Sequence, residues 1–240
     1  MAVPALPHGE LRELFDGIWF VTGTVKMNAM MRFSRNMTVV REGDGLVLVN
    51  AVRLDEAGLA TLDALGAVRH VIRVASFHGM DDGFYKERYG AKIWALEGTH
   101  YTRGFEMDPA KAYFEPDVRM GPDTKPPIAD ARLIRIETST PPEGLLLLER
   151  EGGIVIPGDC LQNWGTVDPY FSFMAGLAMR AMGFIKPFNV GPGWYKGTKP
   201  DPAELKRLLD LDFEHVLPAH GAEVIGEAKE KFRPAIERLR

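Results

Sequence analysis

Three short segments place residues able to do chemistry at the ends of apolar runs. The first is Ser76-Phe77-His78-Gly79-Met80-Asp81-Asp82, the second Pro157-Gly158-Asp159-Cys160, and the third Pro218-Ala219-His220-Gly221. Imidazoles and carboxylates are the side chains that bind divalent cations, move protons and orient water. Each segment also carries a Gly, which permits a sharp turn or a close backbone approach. Alone, each fits a structural role as well: Asp159 as a turn former, Asp81-Asp82 as a helix cap, His220 as a core His. Ligands at the ends of different strands can nevertheless converge on one face of a sheet assembly.

The composition limits what that chemistry can be. Six His and one Cys stand in 240 residues, with 29 basic and 33 acidic side chains. A lone Cys160 excludes an intramolecular disulfide and any Cys-ligated zinc finger, so a metal must be held by His and carboxylates. Beside Asp159, its thiolate is disfavoured, which argues against a nucleophilic role. The sequence pI of about 5.9 lacks the basic excess of a nucleic-acid binder. Neither a Gly-x-Ser-x-Gly elbow nor a Walker-type phosphate loop occurs.

The elements that must position these residues can be read from periodicity. Residues 18–23 read as a strand, and 37–41 and 46–49 as a hairpin around Gly43-Asp44-Gly45. Residues 55–65 carry Leu59, Leu62 and Leu65 at helical spacing, with Asp55 as N-cap. Residues 70–75 and 92–96 read as strands around a short helix at 84–89. Residues 117–127 read as a loop, and 131–137, 144–149 and 153–157 as strands. A helix at 202–211, a strand at 215–217 and a terminal helix at 227–240 complete the order. Residues 166–199, rich in Phe, Met, Gly and Pro, read as an inserted cap. No linker composition intervenes, so residues 1–240 are taken as one domain mixing sheets and helices.

The order of hairpin, acidic-His turn, Pro-Gly-Asp and Pro-Ala-His-Gly resembles the metallo-β-lactamase superfamily, from about Trp19 to His220. The resemblance implies an α+β fold, an αββα four-layer sandwich, with a site at one edge of its sheets. The family's first metal motif is His-x-His-x-Asp-His. Here Phe77 and Gly79 stand where the paired His would be, Asp81 matches the Asp, and Asp82 replaces the last His. His78 lies one position off. Residues 137–144, where the family has its next His, contain none, and Asn50 closes the hairpin run where the family has Asp. Asp159 matches the bridging Asp and His220 the final His.

The resemblance therefore implies a dismantled two-metal site that keeps at most one divalent metal (Zn, Mn or Fe), or none. Its candidate ligands are His78, Asp81, Asp82, Asp159 and His220. A set dominated by three carboxylates would suit Mn, Fe or Mg better than tight Zn. Without a cation such carboxylates need an offsetting charge, for which Arg35, Arg73 and Lys186 are candidates. Asp159 or Asp82 would act as the catalytic general base if no metal is bound. Trp164, Phe171, Phe173 and Trp194 are expected to line a substrate pocket.

The expected activity is hydrolysis of an ester, lactone, thioester or phosphodiester. The rival expectation is a non-catalytic protein of the same fold that binds a small ligand or a protein. A small molecule is the expected partner, with no nucleic acid and no membrane, and the apolar 166–199 stretch also suits a homodimer. The longest apolar stretch, residues 170–185, carries Arg180 and is shorter than the ~20 residues of a spanning helix. With no secretory leader pattern at the start, a cytoplasmic location is expected.

Overall fold

The computed structural model describes residues 5–103, 106 and 108–240. A first sheet runs in chain order through β1 (Arg12–Phe15), β2 (Ile18–Lys26), β3 (Arg32–Glu42), β4 (Gly45–Val49), β5 (Ala67–Arg73), β6 (Lys92–Leu96) and β7 (Val118–Met120). The first four strands pair antiparallel and the last four parallel. The parallel half needs crossovers, supplied by α1 (Glu56–Leu65) and α2 (Asp82–Tyr89). Asp55 caps α1 by accepting from Gly58 N at 2.8 Å.

The second sheet holds β8 (Ala131–Ile136), β9 (Glu143–Leu148) and β10 (Ile154–Pro157) as an antiparallel meander. Two short strands, β11 (Leu161–Gln162) and β12 (Asn189–Val190), pair with each other, and β13 (His215–Val216) adds parallel to β10. The second half also carries α3 (Phe173–Ala181), α4 (Pro192–Thr198), α5 (Pro202–Lys206) and α6 (Ala228–Glu237).

Side-chain alternation along the strands builds the layers. Ile18, Phe20, Val47 and Val49 pack with Leu146, Leu148, Ile154 and Ile156 between the sheets. Their neighbours Trp19, Val21, Leu46 and Leu48 face the other way, against Leu59 and Leu62 of α1 and Tyr85 of α2. Leu145, Leu147 and Val155 likewise face Leu205 of α5 and Phe232 and Ile236 of α6. Both faces of both sheets are covered, which explains the unbroken apolar runs. This is the αββα sandwich.

Two stretches depart from the periodicity. Residues 118–120, within the expected loop, form β7, because Met120 is buried and the Asp117 carboxylate accepts from Ile93 N at 2.8 Å. And β3 begins five residues before Met37, through the polar but buried Ser34, Arg35 and Asn36. Their polarity hides them from a hydrophobic pattern, and all three serve the site.

Candidate metal centre

His78, Asp159 and His220 come together at one edge of the two sheets. Asp159 Oδ1 lies 3.2 Å from His78 Nε2 and 3.1 Å from His220 Nε2. The two imidazole centroids are 5.2 Å apart. Among the described residues this is the one group of three or more His, Cys, Asp or Glu whose ligand atoms all lie within 4.8 Å of one another.

Each of the three is held from behind by neighbours. His78 sits on the loop after β5, and Arg73 at the end of β5 grips that loop. The Arg73 Nε donates to Ala75 O at 2.9 Å, Nη1 to His100 O at 3.2 Å, and Nη2 to Ser76 O. Gly79 makes room for it: its φ is +91°, and a Cβ there would fall 2.6 Å from Arg73 Cδ. His220 sits on the turn after β13, gripped by Asn36, whose Nδ2 donates to Pro218 O and Gly221 O at 2.8 and 2.6 Å. Gly221, at φ +87°, lies so close to Asn163 that a Cβ would fall 2.2 Å from its carbonyl oxygen. Asp159 follows β10, where Asn50 Nδ2 joins the sheets by donating to Pro157 O at 3.0 Å.

Ser34 fixes the His220 tautomer. His220 Nδ1 lies 3.0 Å from the Ser34 carbonyl, a bond only a protonated Nδ1 can make. In the neutral ring, Nε2 then offers a lone pair to Asp159 Oδ1, itself an acceptor. Two acceptors at 3.1 Å call for a positive charge, a proton or a cation. Burial pushes the His78 imidazole down, although Asp159 opposes it. Burial would raise the Asp159 carboxyl, but the charges and hydrogen bonds of His78 and His220 hold it well below the usual range. The spacing also fits, since ligands at ~2.0–2.2 Å from one ion lie within about 4.4 Å of each other.

Asp81 and Asp82 do not join this group. Asp81 Oδ2 pairs with the buried Arg35 guanidinium and accepts from Arg53 N at 2.8 Å. It occupies the N-cap position of α2 without capping it. Asp82 is fully buried and accepts from Tyr101 OH at 2.5 Å, while its other oxygen has no partner. Burial raises its pKa to about 6, partly opposed by Tyr101 and Arg73. Thus Arg35 and Arg73 do offset the acidic turn, whereas Lys186 is solvent-exposed.

The aromatic residues divide. Trp164 lies 4.7 Å from the His220 ring and donates from Nε1 to Ser34 Oγ at 2.8 Å; that hydroxyl donates to Asp168 at 2.5 Å. Phe171 packs on Trp164 at 5.6 Å, and Phe33, not anticipated from sequence, lies 6.1 Å from His220. Phe173 instead faces solvent, 85% exposed, because Ser172 caps α3 and turns the next side chain outward. Trp194 is buried beside Leu161 and Val190 in the layer behind the second sheet.

Glu143 is a further buried carboxyl within the site's surroundings. Its Oε1 accepts from Cys160 N at 2.9 Å. Burial, reinforced by the Asp159 charge, pushes its pKa well above the ordinary value. The neighbouring Cys160 thiol is pushed up by the same burial, which disfavours its thiolate. A scan of residues 137–144 for His alone passes over Glu143; a single Glu opening an otherwise apolar strand is the signal it left.

This arrangement of sheets and site defines a class of protein: the chain has the metallo-β-lactamase fold. Solved structures agree over nearly the whole chain. The metallo-β-lactamase of Erythrobacter litoralis superposes with a TM-score of 0.60 at 15% identity, covering 98% of this chain and 95% of that one. The DIM-1 metallo-β-lactamase, in a crystal exposed to ceftazidime, gives 0.62 at 13% identity with 99% of both chains covered. FIM-1 from Pseudomonas aeruginosa, in its mono-zinc form, gives 0.54 at 14% identity, covering 98% and 97%. No protein-family model matches the chain, and no curated protein matches it by sequence.

Proposed function

We propose that the protein is a hydrolase-like enzyme with one divalent cation, held by His78, Asp159 and His220. The observation that carries this reading is Asp159 Oδ1 facing two imidazole Nε2 atoms at 3.1 and 3.2 Å, one of them fixed as an acceptor by the Ser34 carbonyl. Two imidazoles and one carboxylate form a three-ligand set that suits Zn or Fe better than the oxygen-rich set expected from sequence. A cation bound there would polarise a carbonyl or phosphoryl oxygen and acidify water. The mono-zinc form known for FIM-1 supports the idea that this fold accommodates a single ion.

The chain's own residues supply the rest. Ser34 and Asn36 orient His220, and Arg73 fixes the loop of His78. Phe33, Trp164 and Phe171 keep bulk water from the His220 side, which strengthens electrostatic effects there. Asp82, bonded to Tyr101 and paired electrostatically with Arg73, has no part in proton transfer in this scheme. The substrate class is an ester, lactone, thioester or phosphodiester. A second reading, non-catalytic ligand binding, draws support from Arg35, which engages Asp81 and removes it as a ligand for another ion.

Chelator-stripped protein reloaded separately with Zn, Fe(II) and Mn should be assayed on one chromogenic substrate of each class. Metal-dependent turnover that falls about a thousandfold or more in Asp159→Ala and His220→Ala is the expected outcome. Stoichiometric metal without turnover on any class would refute the hydrolase reading and leave the binding one.

A further inference from the structure

Helix α3 wears its apolar side chains on the outside. Phe173, Met174 and Leu177 are all exposed, and Met182 follows at its C-cap; the face turned to the protein holds only Ala175, Gly176 and Met179. A surface helix ordinarily turns polar residues outward, and one that is apolar all round is enclosed by something. The patch continues onto the β2–β3 hairpin tip. Ser172 Oγ donates to Met30 O at 2.5 Å and Ser172 N to Arg32 O at 2.8 Å, tying the helix start to the tip that exposes Met27 and Met30. Large apolar side chains exposed together on two tied elements mark an interaction surface.

The charge around it says what that surface meets. In a chain with 33 acidic residues among 240, residues 169–200 hold none, and neither do residues 17–41. The same stretches carry Arg180 and Lys186 on one side and Lys26 and Arg32 on the other. A net acidic protein thus builds this apolar face from two stretches whose only charged side chains are cationic, with Asp168 just before the helix held by Ser34. That combination is the signature of an element lying in the headgroup region of an anionic bilayer. We infer that α3 and the β2–β3 hairpin tip dock this protein on an anionic lipid surface. The want of a spanning segment, on which the sequence-based expectation of no membrane partner rests, bears on crossing a bilayer and not on lying against one. The inference is independent of any metal at His78, Asp159 and His220.

The test is co-sedimentation of the full chain with vesicles of phosphatidylcholine plus phosphatidylglycerol, and with vesicles of phosphatidylcholine alone. Binding to the anionic vesicles, weakened at about 0.5 M salt, is expected. The double variant Phe173→Gln/Leu177→Gln should cut partitioning about tenfold or more, and Arg180→Glu/Lys186→Glu should do the same at low salt. Both sites are exposed, so unchanged melting curves are expected of both variants. No binding of the wild type to either vesicle would overturn the inference, as would binding that neither variant reduces. A wild-type dimer in light scattering that Phe173→Gln/Leu177→Gln converts to monomer would also overturn it, by assigning the face to a second copy.

Discussion

Asp81→Asn distinguishes a salt-bridge partner from a metal ligand. Asp81 Oδ2 takes two donors, the Arg35 guanidinium and Arg53 N. Asn keeps an acceptor for Arg53 N and removes only the charge. Arg35 is then left with neutral acceptors only, the Asn oxygen and, at a long 3.4 Å, Thr24 O and Ala51 O. Stranding one member of a buried pair costs about 3–5 kcal/mol. The lower end applies, because the Asp81 side chain keeps 17% of its exposure against 6% for Arg35. A loss of about 3 kcal/mol in a chain of this length lowers Tm by roughly 6–12 °C. The double variant Arg35→Met/Asp81→Asn, with neither charge present, should recover much of that loss. Thermal unfolding and metal analysis of the same preparations provide the assay. The expected result is a clear stability loss with metal content unchanged. Metal lost at unchanged Tm would show that Asp81 ligates, and would refute the reasoning.

Other perturbations probe the surroundings. Asp82 has its pKa raised from 3.8 to about 6, so between those pH values the folded state keeps a proton that the unfolded state releases. Stability should therefore fall as pH rises through that window and stay level above it, by up to about 3 kcal/mol. Asp82→Asn should flatten this slope in urea titrations at successive pH values; an identical slope would count against it. Glu143→Gln, which keeps an acceptor for Cys160 N, should alter stability little, because burial already disfavours the charged carboxylate. Glu143→Ala should cost about 1–3 kcal/mol by stranding that N–H, and equal costs for the two variants would contradict the role given to that hydrogen bond. Gly221→Ala forces a Cβ against the Asn163 carbonyl at a positive φ, so calorimetry should show weaker metal binding along with a lower Tm.

The strands were legible as apolar runs, unbroken because both faces of each sheet are covered, with Trp19/Phe20 and Leu147/Leu148 facing opposite layers; the sandwich arrangement came from the resemblance of the motif order. The turns carrying Asp159 and His220 were legible for the same reason, each following an apolar run. What escaped was decided over distances shorter than the period of an element. His78, Asp81 and Asp82 lie within five residues, yet loop geometry sends one to Asp159, one to Arg35 and one to Tyr101. Phe171 and Phe173 separate because a helix starts between them. Ser34, Arg35 and Asn36 carry no apolar pattern, and only their partners far along the chain, at His220, Asp81 and Pro218, show why they are buried strand residues.

The most direct test of a single three-ligand cation site is calorimetric titration of chelator-stripped protein with Zn. One equivalent should bind to the wild type and to Asp81→Asn, with binding abolished in Asp159→Ala and severely weakened in His78→Ala and His220→Ala. No binding to the wild type, or two equivalents of which one is lost in Asp81→Asn, would contradict the account.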